Sequence, residues 1–122
     1  MLALDAEFVL ASTSGTRTVP ADGFFVDMLT TQLRPGEILS QVRLPRPAAG
    51  TGMAYCKLHQ PASGFAIVGV AARVALDKAG KLREVAVGMT GVGPKAYRAR
   101  ATEKMLLGKR PTRKAFADAA RH

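Results

Sequence analysis

At 122 residues, with 48% hydrophobic and 22% charged side chains, the chain is long enough for one buried core and too apolar to stay disordered. Eighteen Lys and Arg against nine Asp and Glu give a formal charge of +9, which suits an acidic partner: nucleic acid, an anionic membrane surface or a phosphate-bearing cofactor. One cysteine and two histidines exclude an intrachain disulfide and a thiolate metal site, and argue against zinc chemistry and a Ser–His–Asp relay.

Met1 to Ser12 is apolar, but Asp5 and Glu7 interrupt it and no basic run precedes it, so it does not read as a signal peptide. No window is long enough for a membrane span, and a cytoplasmic protein is expected. Glu7–Ala11 and Thr16–Val19 read as strands of a hairpin, with Pro20 closing the second because it lacks an amide donor. Phe24, Phe25, Met28 and Leu29 have the spacing of a short helix over Ala21–Leu29, with Asp22 as its cap. Arg34-Pro-Gly-Glu37 is a turn, and Ile38–Leu44 alternates as a strand. Pro45 to Gly50 stops either kind of element and marks a boundary between two subdomains.

Met53–His59 and Phe65–Leu76 are the next strands, joined by the turn-rich Gln60–Gly64. The second is the longest and is apolar on both faces until Arg73, so cover on both sides is expected. Asp77 to Gly80 makes a hairpin into Leu82–Thr90. Helical patterning begins at Arg98, with Ala101, Met105 and Leu106 as its apolar stripe and Gly108 as its stop. Thr112 caps a last helix with Phe116 and Ala119 inside; it runs out at His122, and the ending reads as a cut.

No residue set reads as catalytic, and none reads as metal-ligating. Gly88-Met-Thr-Gly91-Val-Gly93 follows a strand, but its spacing is wrong for a dinucleotide fingerprint and Pro94 removes a donor. These glycines are better read as close packing of a strand end under a helix. Cys56 reads as a small core residue and Leu39 as packing, while neither Tyr55 nor Tyr97 carries a signal that separates stacking from structure. Lys57 is either a solvated edge lysine or a cation held near a developing anion. The basic residues are scattered, thickening only from Lys95 to Arg121, and do not alternate with aromatic platforms. That favours a solvated surface over a nucleic-acid face.

The order of the segments is specific. TVPADGFF (Thr18–Phe25), TTQLRPGEILSQVRLP (Thr30–Pro45), GTGMAYCKL (Gly50–Leu58), FAIVGVAARVALD (Phe65–Asp77) and VGMTGVGPKAYRARATEKMLLG (Val87–Gly108) together resemble the FAD-binding (medium) subunit of molybdenum hydroxylases, the carbon monoxide dehydrogenase and xanthine dehydrogenase family. The resemblance implies an α+β fold: a small antiparallel sheet packed by helices over residues 50–122, truncated, preceded by the remnant of an FAD-binding domain over 1–47. It implies an oxidoreductase subunit that passes electrons from iron–sulfur clusters through FAD to an acceptor. Its partners would be a molybdopterin-binding large subunit and a [2Fe-2S] small subunit in a hetero-oligomer.

The resemblance places the cofactor contacts of this region on Leu39 and Lys57, with Lys57 near the polar edge of the isoalloxazine, where a cation favours the anionic reduced ring. The sequence departs from the family at Gln60-Pro-Ala-Ser-Gly64, where the family often has an Arg-rich turn ending in Asp. The family's two glycine-rich pyrophosphate loops lie before the region matched here, so FAD binding by this chain alone is expected to be weak or absent, and the isolated chain inactive. Two alternatives stand beside this reading: a non-catalytic scaffold that no longer binds FAD, and a basic nucleic-acid-binding domain.

Overall fold

A computed structural model describes residues 1–121; His122 and the side chain of Ala66 lie outside it, and with them the reading of the last helix at His122. The chain opens with a 3-10 turn, Leu2–Leu4, then β1 (Glu7–Ser12) and β2 (Gly15–Pro20), paired from Glu7↔Pro20 to Ser12↔Gly15. β3 (Phe25–Asp27) and β4 (Thr30–Thr31) form a small separate ribbon, and β5 (Ile38–Arg43) takes the free edge of β1, giving the order β2-β1-β5. Phe8, Leu10, Val19, Ala21 and Phe24 form a core under this sheet with Leu2 and Ala6. Phe8, Phe24 and Phe25 meet edge-to-face, with ring centroids 4.6–6.2 Å apart.

The helix expected over Ala21–Leu29 is not formed. Gly23 and Leu29 both have positive φ, +92° and +52°, which a right-handed helix cannot contain. The adjacent aromatics instead splay onto Phe8, a gain that outweighs the weak helix propensity of Phe, Phe and Val. Asp22 caps nothing; its carboxylate pairs with Arg100. The turn after β4 is as expected, with Gly36 at φ +81° and the Glu37 amide donating to the Arg34 carbonyl at 3.0 Å.

Beyond the irregular Leu44–Gly50 link lies a second antiparallel sheet of β6 (Thr51–His59), β7 (Ala66–Leu76), β8 (Leu82–Thr90) and β9 (Tyr97–Arg98), in that order. The register puts Met53, Tyr55 and Lys57 on one face with Arg73, Ala71 and Gly69, and with Ala86, Gly88 and Thr90. The 3-10 turn lies on that face: a Cβ on Gly88 would stand 3.3 Å from the Ala3 amide nitrogen. On the other face α1 (Arg100–Leu106) and α2 (Arg113–Ala119) bury Leu82, Val85, Leu106 and Ala119. β7 is therefore covered from both sides, although most of its length is only half-buried.

Thr112 Oγ1 accepts the Ala115 amide at 3.1 Å, the cap its position predicts. Three details differ from the sequence pattern. Arg98 belongs to β9, since Tyr97 and Arg98 pair with Met89 and Gly88, so α1 starts two residues later. Ala101 is exposed, and the buried polar member of that helix is Glu103. Phe116 remains 41% exposed because α2 turns Ala119, not Phe116, into the core.

Candidate functional site

The two sequence-predicted site residues stand on different sheets. Leu39 pairs with Leu10 across β1 and is 44% exposed; Lys57 pairs with Gly69 across β7 and is exposed. Both lie on strands hydrogen-bonded along one edge only. These strands expose apolar side chains that a closed core would have hidden, Ile38 at 67% and Leu58 at 62% among them. Such open apolar edges suit a covering ligand or chain.

The turn before Leu39 is held by a contact that local spacing did not reveal. Glu37 immediately precedes β5, and Arg17 on β2 grips it with two parallel bonds, Nε to Oε1 at 2.7 Å and Nη2 to Oε2 at 2.8 Å. Arg17 Nη2 also donates to the Gln32 carbonyl, and the Arg34 amide donates to Glu37 Oε2. The Arg17 bond, joined by the Arg34 amide, holds the Glu37 carboxyl down from its ordinary 4.5 to about 2. The clamp fixes the turn that delivers Leu39. The partners are twenty residues apart, and only the pairing of β1 with both β2 and β5 brings them together.

Beside Lys57, the Tyr55 hydroxyl lies over Gly69: a Cβ there would stand 2.5 Å from it and 2.9 Å from Thr90 Cγ2. Gly69 is thus required for the Tyr55 side chain to lie across β7. Cys56 faces the opposite way and is exposed, contrary to its reading as a core residue. The helices pack on β8 and do not reach β6, which leaves that edge uncovered.

The Gly88–Gly93 segment packs rather than cradles. Gly88 lies under the 3-10 turn, and a Cβ on Gly91 (φ +90°) would stand 2.2 Å from the Ile67 carbonyl oxygen. A cavity of about 580 Å³ lies between the sheet and α1, lined by Val70, Val87, Met89, Tyr97 and Arg100 among others, on the face opposite Lys57. Neither Leu39 nor Lys57 lines it. Among the described residues no helix is long and apolar enough to cross a membrane, and no cluster of three metal-ligating side chains occurs.

Two mixed units of this kind, a sheet of three strands followed by one of four with two short helices, define a class. Residues 53–122 match the CO dehydrogenase flavoprotein C-terminal domain, and residues 1–47 match the FAD binding domain in molybdopterin dehydrogenase. The chain belongs to the CO dehydrogenase flavoprotein C-terminal domain family. It is 39% identical to the carbon monoxide dehydrogenase medium chain of Hydrogenophaga pseudoflava over 98% of its own length and 41% of that relative's. It superimposes on a carbon monoxide dehydrogenase structure from that organism with a TM-score of 0.87 at 42% identity, covering 98% of this chain and 42% of the other. With reconstituted CO dehydrogenase from Oligotropha carboxidovorans the TM-score is 0.91 at 29% identity, over 99% of this chain and 42% of that one. The chain therefore spans about two fifths of the length of the relatives it matches.

Of the two ends of an FAD molecule, the residues present are chemically compatible with the ring and not with the pyrophosphate. Open apolar strands with an exposed lysine suit the isoalloxazine, whose ring is apolar on its faces and polar along one edge. The pyrophosphate needs several convergent amide donors. The packed Gly91 turn does not present them.

Proposed function

We propose that the chain works as part of the FAD-binding subunit of a molybdenum hydroxylase of the carbon monoxide or xanthine dehydrogenase type. In this reading residues 1–47 belong to the FAD-binding domain and residues 50–122 to the C-terminal domain, in line with the two matched segments. The partners are a molybdopterin-binding large subunit and a [2Fe-2S] small subunit, in the cytoplasm. The observation that carries the reading is the superposition of nearly the whole chain on CO dehydrogenase structures at TM-scores of 0.87 and 0.91.

When bound, FAD supplies the redox centre between iron–sulfur clusters and an external acceptor. Leu39 would pack against the ring, and Lys57 would supply a positive charge near its polar edge. Arg17 and Glu37 keep the turn before Leu39 in place. A fixed cation close to the ring lowers the free energy of the anionic reduced form more than that of the neutral oxidised form.

The following measurements test this. Spectral titration of the isolated chain with FAD is expected to show weak binding or none, and a tightly held stoichiometric flavin would overturn that expectation. In the flavin-loaded subunit, Lys57→Met is expected to lower the flavin's potential by on the order of 30 mV, about 1.4 kcal/mol for two electrons. An unchanged potential removes Lys57 from the site. Failure of the subunit to co-elute with its molybdenum and iron–sulfur partners, together with steeply salt-dependent retention on arbitrary DNA, would point to nucleic acid instead.

A further inference from the structure

The 3-10 turn joins the two sheets by close packing on Gly88 and by a set of charged contacts. It ends at Asp5, a non-glycine residue in the left-handed region at φ +50°. The Asp5 carboxylate bridges two arginines from different strands: Oδ1 accepts from Arg98 Nη1 at 2.6 Å, and Oδ2 accepts from Arg73. The same guanidinium groups take the turn's carbonyls, Arg98 that of Leu2 at 3.1 Å and Arg73 that of Ala3 at 2.9 Å. Arg98 is buried, and its Nε donates to the buried Glu103, whose carboxylate also accepts the Val87 amide.

Apolar contact between the turn and the second sheet centres on Leu2 and buried Ala3 over Gly88. The Leu2 side chain belongs to the core of the first sheet. Cavities of about 220 and 290 Å³ flank the turn where it crosses Ala71 and Tyr55. The other links are Ala96 against the first core and the exposed Arg100–Asp22 pair.

We propose that Met1–Ala6 is a charge-held strap that locks the first sheet onto the second, that Asp5 is its pin, and that it loosens when that charge is removed or screened. The strap lies on the face of β7 and β8 that Lys57 shares, and it leads directly into β1, which carries β5 and Leu39. It therefore sets Leu39 relative to Lys57. That consequence rests on the flavin reading; the strap itself does not.

Hydrogen exchange on the whole chain tests it. The Leu4, Asp5 and Ala6 amides donate to the Met1 and Leu2 carbonyls and report on the strap. Asp5→Asn keeps a residue that tolerates the left-handed region while removing the charge. It should speed exchange at these three positions by roughly tenfold or more, the worth of a lost charge-assisted hydrogen bond. Asp118→Asn, whose carboxylate pairs only within its own helix region, changes the net charge equally and should leave them unchanged. Equal effects from both variants, or none from Asp5→Asn, overturn the proposal.

Should Asp5→Asn not fold, the unaltered chain decides by the sign of its salt response. Raising ionic strength from roughly 0.05 M to 1 M relaxes the self-repulsion of a +9 chain and should slow exchange elsewhere, while the screened strap exchanges faster. Strap amides that slow with the rest overturn the proposal.

Discussion

β1 and β8 differ from β5 and β6 in burial far more than in hydrophobicity. The first two are flanked on both edges and hide Phe8, Val9 and Leu10 in one case and Leu82, Val85 and Ala86 in the other. The second two carry Ile38, Leu39 and Val42, and Met53, Tyr55 and Leu58, yet all of these are exposed. Each is paired on one side only. Among these four strands position in the sheet, not side-chain type, separates those that build the core. Uncovered apolar strands of this kind suit a covering ligand or chain.

The largest expected effect falls on the buried side of this comparison. Glu103→Ala removes the partner of a buried guanidinium and leaves the Val87 amide without its acceptor. Breaking a buried pair in this way costs about 3–5 kcal/mol. Burial opposes the Arg98 charge, but the bonds from Glu103 and Asp5 outweigh it and hold its pKa above the ordinary value. Urea denaturation should therefore show a large drop in midpoint for Glu103→Ala. Leu10→Ala follows, at about 2–5 kcal/mol, because Leu10 is fully buried and its loss leaves a cavity. A cost under 1 kcal/mol at Leu10 would mean that β1 is no better packed than β5.

A smaller effect tests how β5 is anchored. Glu37 has a folded pKa near 2 against an ordinary 4.5, so its contribution to stability is present above about pH 4.5 and is lost as pH falls towards 2. Glu37→Gln should flatten the acid side of the stability curve over that interval. A slope equal to that of the unaltered chain would show that Arg17 does not hold the turn.

Elements whose cause is local were legible in the sequence. Alternation gave the strands, Asp77 to Gly80 the hairpin, and Thr112 the cap. What was missed has causes far apart in the chain. The Ala21–Leu29 segment follows Phe8, thirteen or more residues upstream, and Asp5 meets Arg73 and Arg98 across most of the chain. Cys56 reads as core because its residue type is usually buried, whereas its burial depends on how far α1 and α2 extend. Arg17 and Glu37 gave no signal, since a clamp between β2 and the β5 turn exists only after β1 has paired with both β2 and β5. For the candidate site, exposed Leu39 and Lys57 could be named from the family pattern, but their scaffolding could not.

The smallest expected effect is the most discriminating. Leu39→Ala and Lys57→Met change exposed residues on open strands, so each should alter unfolding free energy by no more than about 0.5 kcal/mol. Leu39→Ala removes the same atoms as Leu10→Ala from the position paired directly opposite, so the two together measure burial with chemistry held constant. A loss of about 2 kcal/mol or more at Leu39 would mean that β5 is packed in solution against something the isolated fold leaves open. The strand would then be structural in its own right rather than reserved for a ligand. Near-neutrality at both positions, together with a shifted flavin potential for Lys57→Met, separates function from stability on the same two strands.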